Sequence, residues 1–314
     1  MKIKTIFFGT PEFAVESLDA LIKAGIEVAA VVTTPDKPAG RGIRINQSDI
    51  KKYALEHGLP ILQPEKLKSP EFISALREIN ADLFIVIAFR MLPEIVWQMP
   101  RLGTFNLHAS LLPKYRGAAP INHAVINGET KTGVTTFFLK HEIDTGDIIS
   151  QDEIDILPED NAGTIHDKLM TLGACKVVET VKAIENGTLR TFPQPEGDFV
   201  PAPKIFKDTC RIDWNNSSVK IHNLVRGLSP YPAAWSHLFD SAGKEFDVKI
   251  FETAIPSSSE LKHPLSPGEV KVEGHSLFVG TQDGVLQILS LQPAGKKRMD
   301  ASAFLLGYKP LRLE

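Results

Sequence analysis

The densest run of polar and turn-forming residues in the chain is Phe105-Asn106-Leu107-His108-Ala109-Ser110-Leu111-Leu112-Pro113-Lys114-Tyr115-Arg116-Gly117. Asn106 and His108 stand two apart, so on a strand they point to the same side. An amide and an imidazole facing one way can donate hydrogen bonds to a developing negative charge, and the imidazole can also carry a proton. The bland alternative is that both merely hydrogen-bond to backbone. A second polar cluster, Ile143-Asp144-Thr145-Gly146-Asp147, has the composition of a tight turn between strands. Its alternatives are a hairpin whose Asp satisfies its own backbone, or an Asp144 that reaches His108 directly or through one water. An Asp–His pair holds the imidazole tautomer and steadies its charged form, which suits general acid or base work.

Other chemistries lack their residues. Gly9-Thr10-Pro11-Glu12 does not supply the glycines of a dinucleotide fingerprint. No phosphate-binding loop of the G-x-x-x-x-G-K-[ST] type occurs, and no H-E-x-x-H pair. His108, His123 and His141 have no metal-ligand spacing and Cys175 and Cys210 stand apart from them, so no metal is assigned.

The elements around these clusters alternate. Ile3–Phe8, Glu27–Val32, Leu83–Ala88 and Gly103–His108 read as buried strands, and Phe13, Ala14, Leu18, Leu21 and Ile22 recur at helical spacing. This pattern predicts βαβ units and a mostly parallel, Rossmann-like sheet. Ligands in such sheets bind outside the carboxyl ends of the strands, where Asn106 and His108 fall. Val134–Leu139 and Ile148–Ile156 read as two further strands, and 161–185 as a long helix capped by Asn161. The stretch 192–203, with prolines at 193, 195, 201 and 203, reads as a semi-rigid linker. Beyond it come a helix at 218–228 and short strand-like runs at 234–238, 246–251, 269–272, 276–279 and 285–291, separated by turn formers. These predict a small, OB-like β-barrel. The expected division is a domain over 1–190, a linker over 191–207 and a barrel over 208–314.

Composition sets outer bounds. The 314 residues suggest about two domains. Hydrophobic residues at 43% and charged residues at 23% exclude a disordered or fibrous chain. Two cysteines exclude a disulfide scaffold and suit a reducing cytosol. The net charge of −3 excludes a strongly basic nucleic-acid binder, though not a local basic face. From Lys207 onward, 13 Lys and Arg stand against 12 Asp and Glu, too weak a bias to single out either half. Lys296-Lys297-Arg298 is either a solvated loop or a phosphate contact. Apolar runs fall far below the ~20 residues of a membrane span, and the N-terminal run is too short for an export signal. Cytoplasm and a monomer are the expectations.

Asn106, His108, Ser110-Leu111-Leu112-Pro113 and Asp144 together resemble the signature of the 10-formyltetrahydrofolate-dependent formyltransferases. Within that family the resemblance is strongest to members that formylate methionine esterified to initiator tRNA, and it runs over essentially the whole chain. Ile6–Ala14 is similar to their opening strand and turn, Lys37-Pro38-Ala39-Gly40-Arg41-Gly42 to an inserted loop, and Ala202-Pro203-Lys204-Ile205 to the linker end. The resemblance implies transfer of a formyl group from 10-formyltetrahydrofolate to the α-amino group of methionyl-initiator-tRNA. It makes Asn106, His108 and Asp144 catalytic. It lays Ser110, Leu111, Leu112 and Pro113 along the folate, with Phe89, Arg90 and Leu92 helping to hold the pterin mainly through backbone. It assigns Lys37, Arg41, Lys296, Lys297 and Arg298 to tRNA. Rival readings are a formyltransferase acting on an amino sugar or a glycinamide, a formyl-folate hydrolase, and a non-catalytic RNA-binding protein. The β-rich tail disfavours the glycinamide enzymes, and the intact Asn106, His108 and Asp144 set disfavours the RNA-binding protein.

Overall fold

A computed structural model describes residues 2–39, 44–197, 199–256 and 265–314. In chain order the elements are β1 (Lys4–Gly9), α1 (Glu12–Lys23), β2 (Glu27–Val32), β3 (Lys37–Ala39), β4 (Arg44–Asn46), α2 (Asp49–Glu56), β5 (Ile61–Leu62), α3 (Pro70–Ile79), β6 (Leu83–Ile87), α4 (Glu94–Trp97), β7 (Thr104–His108), α5 (Pro120–Ile126), β8 (Lys131–Phe138), β9 (Ile148–Asp155) and α6 (Ala162–Glu185). There follow α7 (Ser218–Leu228), β10 (Ala234–Asp240), β11 (Glu245–Ala254), β12 (Val270–Glu273), β13 (Ser276–Gly280), β14 (Val285–Pro293), β15 (Met299–Asp300), α8 (Ala301–Leu305) and β16 (Pro310–Leu313).

The chain forms two compact units. The first holds residues 1–117, 132–154 and 166–201, and the second holds 118–131, 155–165 and 202–314. Two short segments inside 1–190 therefore cluster with the later residues rather than with the first unit.

In the first unit a seven-stranded sheet runs β5-β2-β1-β6-β7-β8-β9. β1 pairs in parallel with β2 and β6, and β6 with β7. β8 joins β7 antiparallel. The central parallel strand β6 is apolar throughout because both its faces are covered: every residue, Leu83 to Ile87, is buried. β9 alternates in exposure, as an outer strand should. α1 buries Phe13, Ala14, Leu18 and Leu21 along one face. α6 starts at Asn161, whose Oδ1 accepts from the Thr164 N–H at 3.0 Å. The sequence pattern does not mark α2, which buries only Ile50 and Ala54. Two buried residues make too narrow a stripe to register as a period. The segment after α6 also differs from a bare linker. Phe192 exchanges two backbone hydrogen bonds with Ile148 of β9, at 2.7 and 2.9 Å, and so pins residues 192–194 to the sheet.

In the second unit an antiparallel sheet runs β12-β13-β14-β11-β10-β16, with β15 on β14. It curls into a nearly closed barrel. A bridge between Glu269 and Arg312 and a Leu313 N–H to Gly268 O bond of 2.9 Å draw its ends together. Gly268 sits at φ +79°, and a Cβ there would lie 2.3 Å from the Leu313 carbonyl oxygen. Only glycine permits that approach. Leu238, Ile250, Leu277, Ile288 and Phe304 fill the interior with α7 residues Ile221 and Val225. Trp214 is buried there, its indole N–H donating to Ser236 Oγ at 3.0 Å. No helix of the described residues is long and apolar enough to cross a membrane.

Candidate active site

β7 carries Asn106 and His108 to its carboxyl end, on the same side of the strand. One N–H of the Asn106 amide donates to Val86 O on β6 at 2.9 Å. His108 is 7% exposed, and its Nε2 lies 2.8 Å from Tyr115 O. A carbonyl only accepts, so Nε2 carries the proton. Nδ1 therefore faces Asp144, with Oδ2 at 3.8 Å. Asp144 and His108 do meet. The separation exceeds a direct hydrogen bond and lies within ion-pair range.

Asp144 sits in the loop between β8 and β9 with φ +56°, a left-handed conformation that a non-glycine residue holds at a cost of about 1 kcal/mol. Three hydrogen bonds from two neighbours, Gly117 and Gln194, hold its loop there. Its Oδ2 accepts the Gly117 N–H at 2.9 Å. Its own carbonyl and that of Gly146 each accept from Gln194 Nε2 at 2.8 Å. Gln194 Oε1 in turn accepts from Arg116 Nε at 3.1 Å and Nη2 at 2.6 Å. Gly146 is obligatory: a Cβ would lie 1.5 Å from Phe138 O.

The Ser110–Pro113 segment follows β7 directly and is tied on both sides. Ser110 Oγ donates to Lys114 O at 2.7 Å, and the Ser110 carbonyl accepts from Thr135 Oγ1 at 2.6 Å. The Leu112 N–H donates to Thr135 Oγ1, and its carbonyl accepts from Gln151 Nε2 at 2.8 Å. Leu112 is buried, while Leu111 and Pro113 are half-buried. The Leu112–Pro113 peptide is cis. Just after the neighbouring strand β6, Leu92 is buried and the half-buried Phe89 packs against the same core around Phe8 and Phe84. The Arg90 guanidinium donates to the carbonyls of Pro64 and Glu65. Met91, between them, is 71% exposed.

The basic residues are more scattered in role. Lys37 is exposed at the start of β3. Arg41 lies outside the described residues. Lys296 and Lys297 are exposed after β14. Arg298 is committed to protein: it pairs with Glu252, donates to Ser290 Oγ at 2.8 Å and lies 4.6 Å over the Phe251 ring.

Sequence reasoning did not single out Arg116, Gln194, Thr135 or Gln151. Gln194 stands between two prolines in a segment with no period, and only the fold brings it to Asp144.

Residues 1–181 match the family described as formyl transferase, and residues 204–309 match the formyl transferase C-terminal domain. The chain belongs to the formyl transferase family. It is 57% identical over 312 residues to a methionyl-tRNA formyltransferase of Bacteroides fragilis, covering 98% of this chain and 95% of the relative. It is 51% identical to the methionyl-tRNA formyltransferase of Flavobacterium johnsoniae, covering 98% and 96%. In fold it is similar to an N-formyltransferase from Helicobacter canadensis, solved in complex with folinic acid and dTDP-3-aminofucose. That similarity has a TM-score of 0.65 at 20% identity and covers 95% of this chain and all of the other.

Proposed function

We propose that this chain transfers the formyl group of 10-formyltetrahydrofolate to the α-amino group of methionyl-initiator-tRNA. The observation that carries the reading is the meeting of His108 and Asp144 beside Asn106, at the carboxyl end of β7, in a chain 57% identical to a methionyl-tRNA formyltransferase.

The residues at the strand ends fit a folate. The carboxyl ends of β6 and β7 are adjacent and parallel, where ligands of such sheets bind. With Phe89 and Leu92 turned into the core, the 88–92 turn offers backbone and the exposed Met91 to a flat ring. The folate supplies the formyl group when bound. The attacking α-amine has a pKa near ~8 or lower, so part of it is free base at neutral pH and no covalent enzyme intermediate is needed. As it adds, charge grows on the formyl oxygen. The second N–H of Asn106 and the imidazole of a protonated His108 serve that oxygen, each such donor worth about 3–4 kcal/mol. With Nε2 held by Tyr115, Nδ1 beside Asp144 is the ring nitrogen that exchanges a proton. Asp144 steadies the imidazolium and helps move the proton from attacking to leaving nitrogen.

Lys37, Arg41, Lys296 and Lys297 are proposed phosphate contacts for the tRNA. In the second unit a groove of about 760 Å³ adds support. Lys207, Lys249, Trp235 and the exposed Tyr231 line it, a mixture of cations and aromatic faces that suits nucleic acid. Cytoplasmic location and a monomeric state complete the reading. The second is checked by sedimentation.

The test is a transfer assay with 10-formyltetrahydrofolate and three acceptors: methionine-charged initiator tRNA, methionine-charged elongator tRNA and an amino-sugar nucleotide. Formylation of the initiator alone, read by mass spectrometry and lost in His108→Ala, is the expected result. Formylation of the sugar instead overturns the acceptor. Free formate without an acylated acceptor points to the hydrolase.

A further inference from the structure

We infer that Gln194 is a positioning residue for the reaction: its side-chain amide fixes the backbone of the Asp144 loop, and thereby the carboxylate that faces His108. The inference rests on the reading that Asp144 takes part in the chemistry.

The geometry is fully used. Gln194 Nε2 has two hydrogens, and each goes to a carbonyl of the loop, Asp144 O and Gly146 O, both at 2.8 Å. Its Oε1 accepts twice from one guanidinium, that of Arg116. The amide is thus satisfied on both sides, and its direction is set: reversing it would put N–H groups against N–H groups and oxygen against carbonyls. The loop it clamps holds Asp144 at φ +56°, a conformation a non-glycine residue keeps only when its surroundings over-determine it. The third constraint comes from the same chain segment as the guanidinium, since the residue after Arg116 donates its N–H to Asp144 Oδ2. Tyr115, one residue before Arg116, holds the other side of the pair through its carbonyl on His108 Nε2. One short strip, Tyr115-Arg116-Gly117, therefore touches the imidazole and the carboxylate directly and holds the amide that clamps the loop. Gln194 locks that strip to the Asp144 loop. Backbone pairing of Phe192 with Ile148 delivers it to this place.

Two substitutions separate the halves of the clamp. Gln194→Leu removes both. Gln194→Glu keeps an oxygen for Arg116 and removes the two donors to the loop. Each is compared with wild type and with Asp144→Asn in steady-state transfer to methionine-charged initiator tRNA. Both substitutions are expected to lower kcat by about 10- to 100-fold, the scale of a misplacement near 1 Å, with KM for folate and tRNA changed less than about threefold. The decisive readout is the cycle with Asp144→Asn. Gln194→Leu added to Asp144→Asn is expected to cause no further loss, because the group it positions is already gone. Independent, multiplying losses would assign Gln194 a general structural role and overturn the inference. So would unchanged kcat in both variants, or loss of fold in both by circular dichroism. A wild-type enzyme that formylates no amine overturns the proposed function instead.

Discussion

The His108–Asp144 neighbourhood and the charged face of the second unit handle polar groups in opposite ways. Around His108 almost every polar side chain is buried or half-buried, and its partner is backbone: Tyr115 O, Val86 O, Gly117 N–H and the carbonyls of Asp144 and Gly146. Backbone partners are fixed by the fold, so they hold a reacting group to a fraction of an ångström. On the second unit Lys296 and Lys297 stand in solvent, and Lys207 and Arg211 lie over Trp235 at 5.0 and 5.7 Å. Charge that meets a polyanion works through its number and reach, and needs no such precision. The contrast teaches where substitutions should act: on rate in the first region, on salt-dependent affinity in the second.

The largest effects belong to the pair itself. Asp144→Asn and His108→Ala should each lower kcat by roughly 10²–10⁴-fold, with circular dichroism unchanged. A loss below tenfold would break the comparison, because the buried network would then be scaffolding alone. Gly146→Ala comes next. Its Cβ has no room against Phe138 O, so the loop must shift and take Asp144 with it. We expect about a 100-fold loss in kcat, together with about 1–3 kcal/mol of stability in urea titrations. Loss of stability with full activity would show that Asp144 tolerates a displaced loop.

How much of this was legible in the sequence follows the same divide. Asn106 and His108 could be placed because a two-residue spacing on a buried strand has one geometric meaning. Asp144 could be paired with His108 only as an alternative, since nothing local joins β7 to a loop 36 residues later. The helix over 218–228 and the strand over 27–32 emerged with their bounds because apolar period and turn formers agree there. Gln194 and Arg116 could not be read, because an amide between prolines has no pattern and gains its role from tertiary contact alone. Arg298 shows the converse. Beside two lysines it reads as a third phosphate contact, and the pattern gives no sign that this exposed side chain also pairs with Glu252 and lies over the Phe251 ring.

That difference sharpens into a measurement within a single tripeptide. Lys296→Ala and Lys297→Ala should each weaken tRNA binding several-fold and flatten the slope of log K against log salt by about 1 for each phosphate no longer neutralised. KM for folate should stay unchanged. Arg298→Ala should instead lower the unfolding free energy by up to about 1 kcal/mol, with little change in that slope. Equal salt slopes for all three would place Arg298 on the nucleic acid after all.

The smallest effect tests a device the two regions share. Asp82 in the first unit accepts the Lys4 N–H at 2.9 Å and Arg101 Nε at 2.6 Å. Asp240 in the barrel accepts the N–H groups of Ala242 at 2.6 Å and Lys309 at 3.0 Å. In both, backbone donors favour the ionised form and hold the carboxyl below its usual range, that of Lys4 for Asp82 and that of Ala242 for Asp240. A carboxyl lowered by folding stabilises the fold fully above its unfolded pKa near ~3.9, and that contribution fades as pH falls through the folded value. Asp240→Asn should therefore be less stable than wild type at pH 7, and the gap should close as urea titrations move below about pH 4. The same holds for Asp82→Asn. If the two units unfold separately, each substitution shifts a different transition, which assigns each transition to its unit. A gap that stays constant with pH would mean that these carboxyls act through shape, the amide oxygen of Asn being an incomplete substitute at any pH.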